Sequence, residues 1–261
     1  MIDRVARLSK RLALGRPDVS DPLQLVHARP LDRPVIFCTR MENDPIQRNH
    51  RKGRFYEQDE LRRLIGLMPA GGCFVDIGAN VGNHSLFAAL HLGAGRVIPF
   101  EPNVLAYDLL IQNVLVNRLA DVVTLDHLGF GLSDRPSDGF GMAEKARNLG
   151  SARMLEGAGD LEMRTGDAML ADVLPHFIKI DVEGMEIAVL SGLEDTIRRA
   201  RPVMQIEVDT DNDAAFAGWL AAQEYTVLHE DSRYKANRNF LVCPSDRAAE
   251  LTRTLAQEDS A

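Results

Sequence analysis

The chain has 261 residues, 45% hydrophobic and 26% charged, enough for one large α/β domain with a substantial buried core. A formal charge of −8 argues against a general nucleic-acid surface, because phosphate binding needs clustered Lys and Arg. Cys38, Cys73 and Cys243 form no CxxC pair, so neither a disulfide framework nor a zinc site is expected, and a reduced, cytoplasmic setting follows.

The first residues, MIDRVARLSKRLALGRP, put Ile2, Val5, Leu8 and Leu12 near one helical face and lack the apolar core of a secretory signal. A helix packed on the domain is favoured over a membrane-surface anchor, and no run approaches the ~18 apolar residues of a membrane span. Residues 1–55 read as an extension that packs on the core or covers the site, punctuated by Pro22, Pro30, Pro34 and Pro45, with Val35–Cys38 as a short strand. The main domain is expected over 56–261. It opens with a helix over Gln58–Leu67, whose Leu61, Leu64 and Ile65 share a face with Met68.

From there strands and helices alternate. Cys73–Ile77 is a buried strand followed by a glycine turn and a helix over Ser85–Leu92. Arg96–Glu101 precedes a helix over Val104–Asn117, and Val122–Asp126 is a third strand. Phe177–Val182 leads into a helix over Met185–Ala200, and Val203–Val208 into one over Ala214–Ala222. Tyr225–His229 and Phe240–Cys243 form a closing hairpin. Such alternation predicts βαβ units and a mostly parallel sheet covered on both faces, with the ligand beyond the carboxyl ends of the strands. The Gly-rich stretch from Arg135 to Gly166 fits no period and is read as a loop on the substrate side.

The strongest chemical signal is VDIGANVGNH, Val75–His84. Gly78 and Gly82 allow a tight turn and a close ligand approach. Asn83 and His84 replace the Lys-Ser/Thr of a phosphate loop, and Asn80 replaces the second glycine of a dinucleotide fingerprint. What remains is a glycine loop preceded by Asp76, suited to a ligand bearing an amino group. Glu101, 23 residues after Gly78, sits where an acid accepts the two hydroxyls of a ribose. A ribose and an amino acid portion without phosphate describe S-adenosylmethionine.

The segments VDIGANVGNHSLFAA, VIPFEPN, FIKIDVEGMEIAVLSGLEDTI and RPVMQIEV resemble the FkbM-type methyltransferases, over roughly residues 55–210. Phe55-Tyr56-Glu57 and Asn148-Leu-Gly-Ser151 are similar to two further elements of that family. The resemblance implies a class I methyltransferase (Rossmann-like) fold, with a doubly wound, mostly parallel seven-stranded sheet. It implies methyl transfer from S-adenosylmethionine to a hydroxyl of a sugar, glycan, polyketide or other natural product. The cofactor's methionine end would lie by Asp76, Gly78, Ala79, Asn80 and Gly82, the ribose on Glu101 and Pro102, and the adenine by Ser133 and Asp134. Tyr56, Glu57, Asn148 and Ser151 would face the acceptor.

Asp181 and Glu183 end the fourth strand where methyl and acceptor meet, and Glu207 ends the fifth; proton removal from an alcohol calls for such a base. Either Asp181 or Glu183 is expected to take the proton, with Lys179 as internal counter-charge. A divalent cation on the three carboxylates ranks below the metal-free base. Ser85 reads as a polar group at a helix start, and His84 as a packed or exposed side chain. Arg51 and Lys52 in RNHRKGRF, with Arg233, Lys235 and Arg238, would suit an anionic acceptor if they reach the crevice. A non-catalytic cofactor-binding scaffold, a nicotinamide dehydrogenase and an RNA or protein methyltransferase are the rivals. A homo-oligomer stays open.

Overall fold

The computed structural model describes residues 2–13, 23–142, 154–157, 159–232 and 236–258. In chain order these begin with α1 (Ile2–Ala13), the strands β1 (Gln24–Ala28) and β2 (Val35–Thr39), and the short helices α2 (Pro45–His50) and α3 (Gln58–Arg63). Then β3 (Cys73–Ile77), α4 (Asn83–Leu90), β4 (Arg96–Phe100) and α5 (Val104–Val116) give the first alternating unit. Four short strands follow: β5 (Gly131–Leu132), β6 (Ser137–Met142), β7 (Met154–Glu156) and β8 (Leu161–Arg164). The second alternating unit is α6 (Gly166–Met169), β9 (Phe177–Ile180), α7 (Glu186–Ser191), α8 (Glu194–Ala200) and β10 (Val203–Asp209). It continues through α9 (Asp213–Ala222), β11 (Tyr225–Asp231), β12 (Asn237–Pro244) and α10 (Ala248–Glu258).

The main sheet has six strands in the order β11-β12-β10-β9-β3-β4. β4, β3, β9 and β10 run parallel, and β12 and β11 add an antiparallel edge. Seven strands were expected. Val122–Asp126 instead meets β4 through an isolated bridge between Val97 and Val123, so the seventh position is a contact and not a strand. The strand order reverses between β3 and β9, the position at which open α/β sheets form their ligand crevice.

Side-chain alternation decides what each face of this sheet meets. Val75, Ile77, Ile178, Ile180, Met204 and Ile206 pack with Val189 and Leu190 of α7 and Ile197 of α8. On the opposite face Phe74, Phe177 and Val203 pack with Leu86 and Phe87 of α4 and with Leu110 and Val114 of α5. The N-terminal segment shares this second core: Phe37 stacks on His50 at 4.2 Å, and Phe55 meets both Phe37 and Phe87 edge-on. Leu8, Val35 and Phe37 thus share one apolar cluster with Phe55, Leu86 and Phe87. β2 is tied down further by α5. Asn113 Oδ1 accepts from the Cys38 amide at 2.7 Å, and Asn117 Oδ1 accepts from that of Ile36 at 2.8 Å.

Three elements differ from the sequence expectation. The described part of 135–166 includes strands: β6, β7 and β8 join β5 in a small four-stranded sheet. The helix expected over Met185–Ala200 breaks at Gly192, where a side chain would collide with the carbonyl oxygen of Ser133. α10 closes the chain beyond the expected hairpin and lends Leu251 to the core.

Gly78 shows how closely the glycine loop lies against the end of β9. Its φ of +76° is in the left-handed region, and a Cβ there would overlap the carbonyl oxygen of Asp181. Gly78→Ala should cost more than ~2 kcal/mol of unfolding free energy. Gly93→Ala, with φ +69° but nothing within 4 Å, should cost about 1 kcal/mol. Urea denaturation of the two variants checks the difference.

Candidate active site

The glycine loop joins β3 to α4 and is stitched to the end of β4. The amides of Gly78 and Ala79 both donate to the Phe100 carbonyl at 3.0 Å. Asn80 has φ +51°, and Gly82, at +87°, caps α4. Glu101 lies at the end of β4 and turns its carboxylate back onto the loop. Oε2 accepts from the Asn80 amide at 2.7 Å, and Oε1 from the Asn103 amide at 2.8 Å. Burial raises the Glu101 pKa to about 7 against those two donors.

Beneath the loop sits Asp76, fully buried, accepting from Ser85 Oγ at 2.6 Å. Ser85 is thus a polar group at a helix start, as its position suggests. Lys179, only 4% exposed, donates to the Gly78 carbonyl at 2.9 Å and lies 3.2 Å from Asp181 and 3.7 Å from Asp76. Burial alone would discharge the ammonium, but Asp181 and Asp76 outweigh it and hold the Lys179 pKa above its ordinary value. Burial raises the Asp76 pKa, with Lys179 pulling the other way. For this pair the geometry favours the ionised form of both groups.

At the carboxyl edge of β9 and β10 the carboxylates of Asp181, Glu183 and Glu207 offer oxygens that all lie within 4.8 Å of one another. They are not equivalent. Asp181 faces Lys179. Glu207 accepts from Asn237 Nδ2, yet burial and then the charges of Asp181 and Glu183 raise its pKa to about 9, so it keeps a proton at neutral pH. Glu183 has φ +49°, an uncommon backbone for a non-glycine residue and one that gathers at functional turns. Glu186 stands apart as a structural strut: its Oε1 accepts from the Asp209 amide and from Asn212 Nδ2, both at 2.8 Å.

Glu57 is among the charges that raise the Glu207 pKa, and Tyr56 precedes it in the chain. Tyr56 is fastened by Asn83, which in sequence stands out only as a mismatch to the phosphate-loop motif. Asn83 Oδ1 accepts from the Tyr56 amide and from His50 Nε2, each at 3.0 Å, and its Nδ2 donates to the Tyr56 carbonyl at 3.1 Å. Burial lowers the His50 pKa to about 4 and keeps the ring neutral.

Other expected residues have these contacts. Ser133 Oγ donates to Asp134 at 3.0 Å, and Asp134 also meets Arg135. Arg51 donates to the Arg40 carbonyl at 3.2 Å and pairs with Glu42 at 3.4 Å, while Lys52 lies in the turn after α2. Arg238 pairs with Asp213 and Glu230. Both guanidinium groups have acidic partners within the chain. Asn148, Ser151, Arg233 and Lys235 lie outside the described residues.

A model of the FkbM methyltransferase domain matches residues 76–234. The chain belongs to this family. As an FkbM-family methyltransferase it uses S-adenosylmethionine as its cofactor. It is 27% identical over 191 residues to the hexuronic acid methyltransferase AglP of Haloferax volcanii, covering 70% of this chain and 77% of that one. It is 26% identical over 165 residues to the methyltransferase sdnD of Sordaria araneosa, covering 50% of this chain and 64% of that one. In fold it is similar to the tRNA m1G37 methyltransferase of M. jannaschii, with a TM-score of 0.50 and 13% identity, covering 86% of this chain and 57% of that chain. Among the described residues no helix is long and apolar enough to cross a membrane.

Two expectations follow for this FkbM-family site. Lys179→Met would strand Asp76 without its counter-charge and should destabilise the protein by ~3–5 kcal/mol, and adding Asp76→Asn should recover part of that loss; thermal unfolding of both variants checks it. Glu207 holds its proton in the folded state up to about pH 9 but ionises near its ordinary 4.5 when unfolded. Its contribution to stability is therefore complete below about pH 4.5 and lost as pH rises towards 9. Glu207→Gln should flatten the fall of stability across that window in denaturation curves taken at several pH values.

Proposed function

We propose that the chain transfers the methyl group of S-adenosylmethionine to a hydroxyl of a sugar, a glycan or another natural product. The observation that carries this reading is the convergence of Asp181, Glu183 and Glu207 at the sheet edge. Asp181 is tied through Lys179 to the carbonyl of Gly78 in the glycine loop. The sugar class draws support from the Haloferax volcanii relative, a hexuronic acid methyltransferase.

The cofactor's methionine end is assigned to Gly78, Ala79, Asn80 and Gly82 with Asp76 beneath them, the ribose to Glu101 and Pro102, and the adenine to Ser133 and Asp134. Asp76 Oδ1, Asn80 Oδ1 and His84 Nε2 are buried polar atoms that lack a hydrogen-bond partner among the described residues, which fits a polar ligand here. Burial and the nearby Lys179 hold the His84 pKa well below its ordinary value, so it meets that ligand as a neutral ring.

S-adenosylmethionine supplies an electrophilic methyl on a sulfonium. The acceptor oxygen forms the new C–O bond while the electron pair of the C–S bond stays on sulfur, and the hydroxyl proton passes to a base. Asp181 is engaged by Lys179, and Glu207 already carries a proton. Glu183, on the left-handed turn that follows β9, is assigned as the base. Asp181 orients the acceptor hydroxyl, and Glu207 donates a hydrogen bond to a neighbouring oxygen.

Glu183→Gln should lower kcat by at least ~100-fold while calorimetry shows unchanged cofactor affinity. Glu207→Gln, which keeps the shape of the protonated acid, should stay within about tenfold of the parent. Chelation by EDTA should leave turnover unchanged. Activity lost to EDTA and restored by Mg²⁺ would reassign the three carboxylates to a cation, and full activity of Glu183→Gln would remove it as the base.

A further inference from the structure

Two successive residues after β9 have left-handed backbones, Glu183 with φ +49° and Gly184 with φ +96°. Glycine adopts this conformation freely. A glutamate does so at a cost, and keeps it only where its surroundings hold it there. Met185, next in the chain, caps α7 without a side-chain hydrogen bond, so the cap does not supply that hold.

Glu186 does. It is the first residue of α7 and fully buried. Its Oε1 reaches across to the end of β10 and accepts from the Asp209 amide and from Asn212 Nδ2, both at 2.8 Å. Asn212 Nδ2 also donates to the Gly184 carbonyl at 3.4 Å. A Cβ on Gly184 would lie 3.1 Å from Asp209 Oδ2, so the turn rests directly on the same segment. Glu186 Oε2 is buried and lacks a hydrogen-bond partner among the described residues, which leaves the clasp to Oε1.

Strand geometry shows what the clasp fixes. Asp76, Lys179 and Gln205 form one row across β3, β9 and β10, and Glu207 stands one step further along β10. Residues two apart on a strand share a face, so whatever holds Asp209 also holds the strand end that carries Glu207. On the other side, the Asp181 amide donates to the Ile77 carbonyl at 3.1 Å and keeps that residue in the sheet. Beyond Asp181 the chain leaves the sheet and closes on β10 through Glu186 and Asn212. Across this closure the carboxylates of Glu183 and Glu207 come within 4.8 Å of each other.

We propose that Glu186 is a positioning residue whose clasp on Asp209 and Asn212 sets the distance between Glu183 and Glu207. The proposal rests on the assignment of Glu183 as the base and adds what holds that base in place. Glu186 itself touches neither the methyl donor nor the acceptor; it acts through the turn that carries Glu183.

The test needs no acceptor. The titration of Glu207 reports how near Glu183 stands, because Glu183 faces it together with Asp181, Lys179 and Glu57. The full chain is labelled with ¹³C at its glutamate carboxyls, and the Glu207 signal is assigned by its loss in Glu207→Gln. Glu183→Gln should lower the Glu207 midpoint by about one pH unit, and Glu186→Ala should lower it by a similar amount. In the Glu183→Gln background Glu186→Ala should add nothing, since it acts through the residue already changed. Glu186→Gln keeps Oε1 and should keep the parent midpoint. Should Glu186→Ala fail to fold, Asn212→Ala removes one arm of the clasp and carries the same comparison. A midpoint unmoved by these clasp variants or by Glu183→Gln, or an undiminished effect of Glu186→Ala in the Glu183→Gln background, would overturn the proposal. Full turnover of Glu183→Gln would instead bring down the base assignment beneath it.

Discussion

The ammonium of Lys179 is the constraint on which the rest of the site depends. It is buried where the strand order reverses, with the Gly78 carbonyl, Asp76 and Asp181 around it. An unpaired charge in that position would cost several kcal/mol, so the three oxygens are what make the lysine tolerable. The reverse also holds: Asp76 has no solvent exposure and needs the cation. One bond network therefore fixes the strand, the glycine loop and one acid of the cluster relative to each other. The alternation in Ile178-Lys179-Ile180-Asp181 follows directly, with isoleucines for one apolar layer and ions for the other face.

The same network separates three acids that look alike in sequence. Proximity to Lys179 commits Asp181, whereas Glu207 stands further along the row with two carboxylates pressing on it, and so retains its proton. Like charges held this close cannot all ionise. The cluster thereby acquires a division of labour from position alone, a pattern known from other pairs of titratable groups whose environments push their pKa values apart.

Much of this was legible because its signals are local. Continuous apolar runs, glycine turns and the acids at strand ends marked β3, β4, β9 and β10 and put Asp181, Glu183 and Glu207 at one edge. What was not legible depends on partners far along the chain. Asn83 meets Tyr56 across 27 residues and Asn239 meets Glu60 across 179, and neither spacing leaves a periodic trace. The ion pairs of Arg51 with Glu42 and of Arg238 with Asp213 likewise join residues at no spacing that marks them in sequence. The small sheet of β5–β8 escaped because its strands are short, with no sustained alternation. Val122–Asp126 erred the other way: an apolar run of strand-like composition found too little of a neighbour to become a strand.

The Asn83 amide has a bearing on how such a protein could be taken apart or recombined. By holding His50 and both backbone groups of Tyr56 at the first turn of α4, it makes the opening segment and the nucleotide-type loop one mechanical unit. The leading residues are consequently a poor place for a graft or a fusion joint. A chimera that exchanged them between relatives would need to carry the asparagine, the histidine and the Phe37 beneath it together, since any one moved alone would leave a buried amide or ring facing the wrong surface.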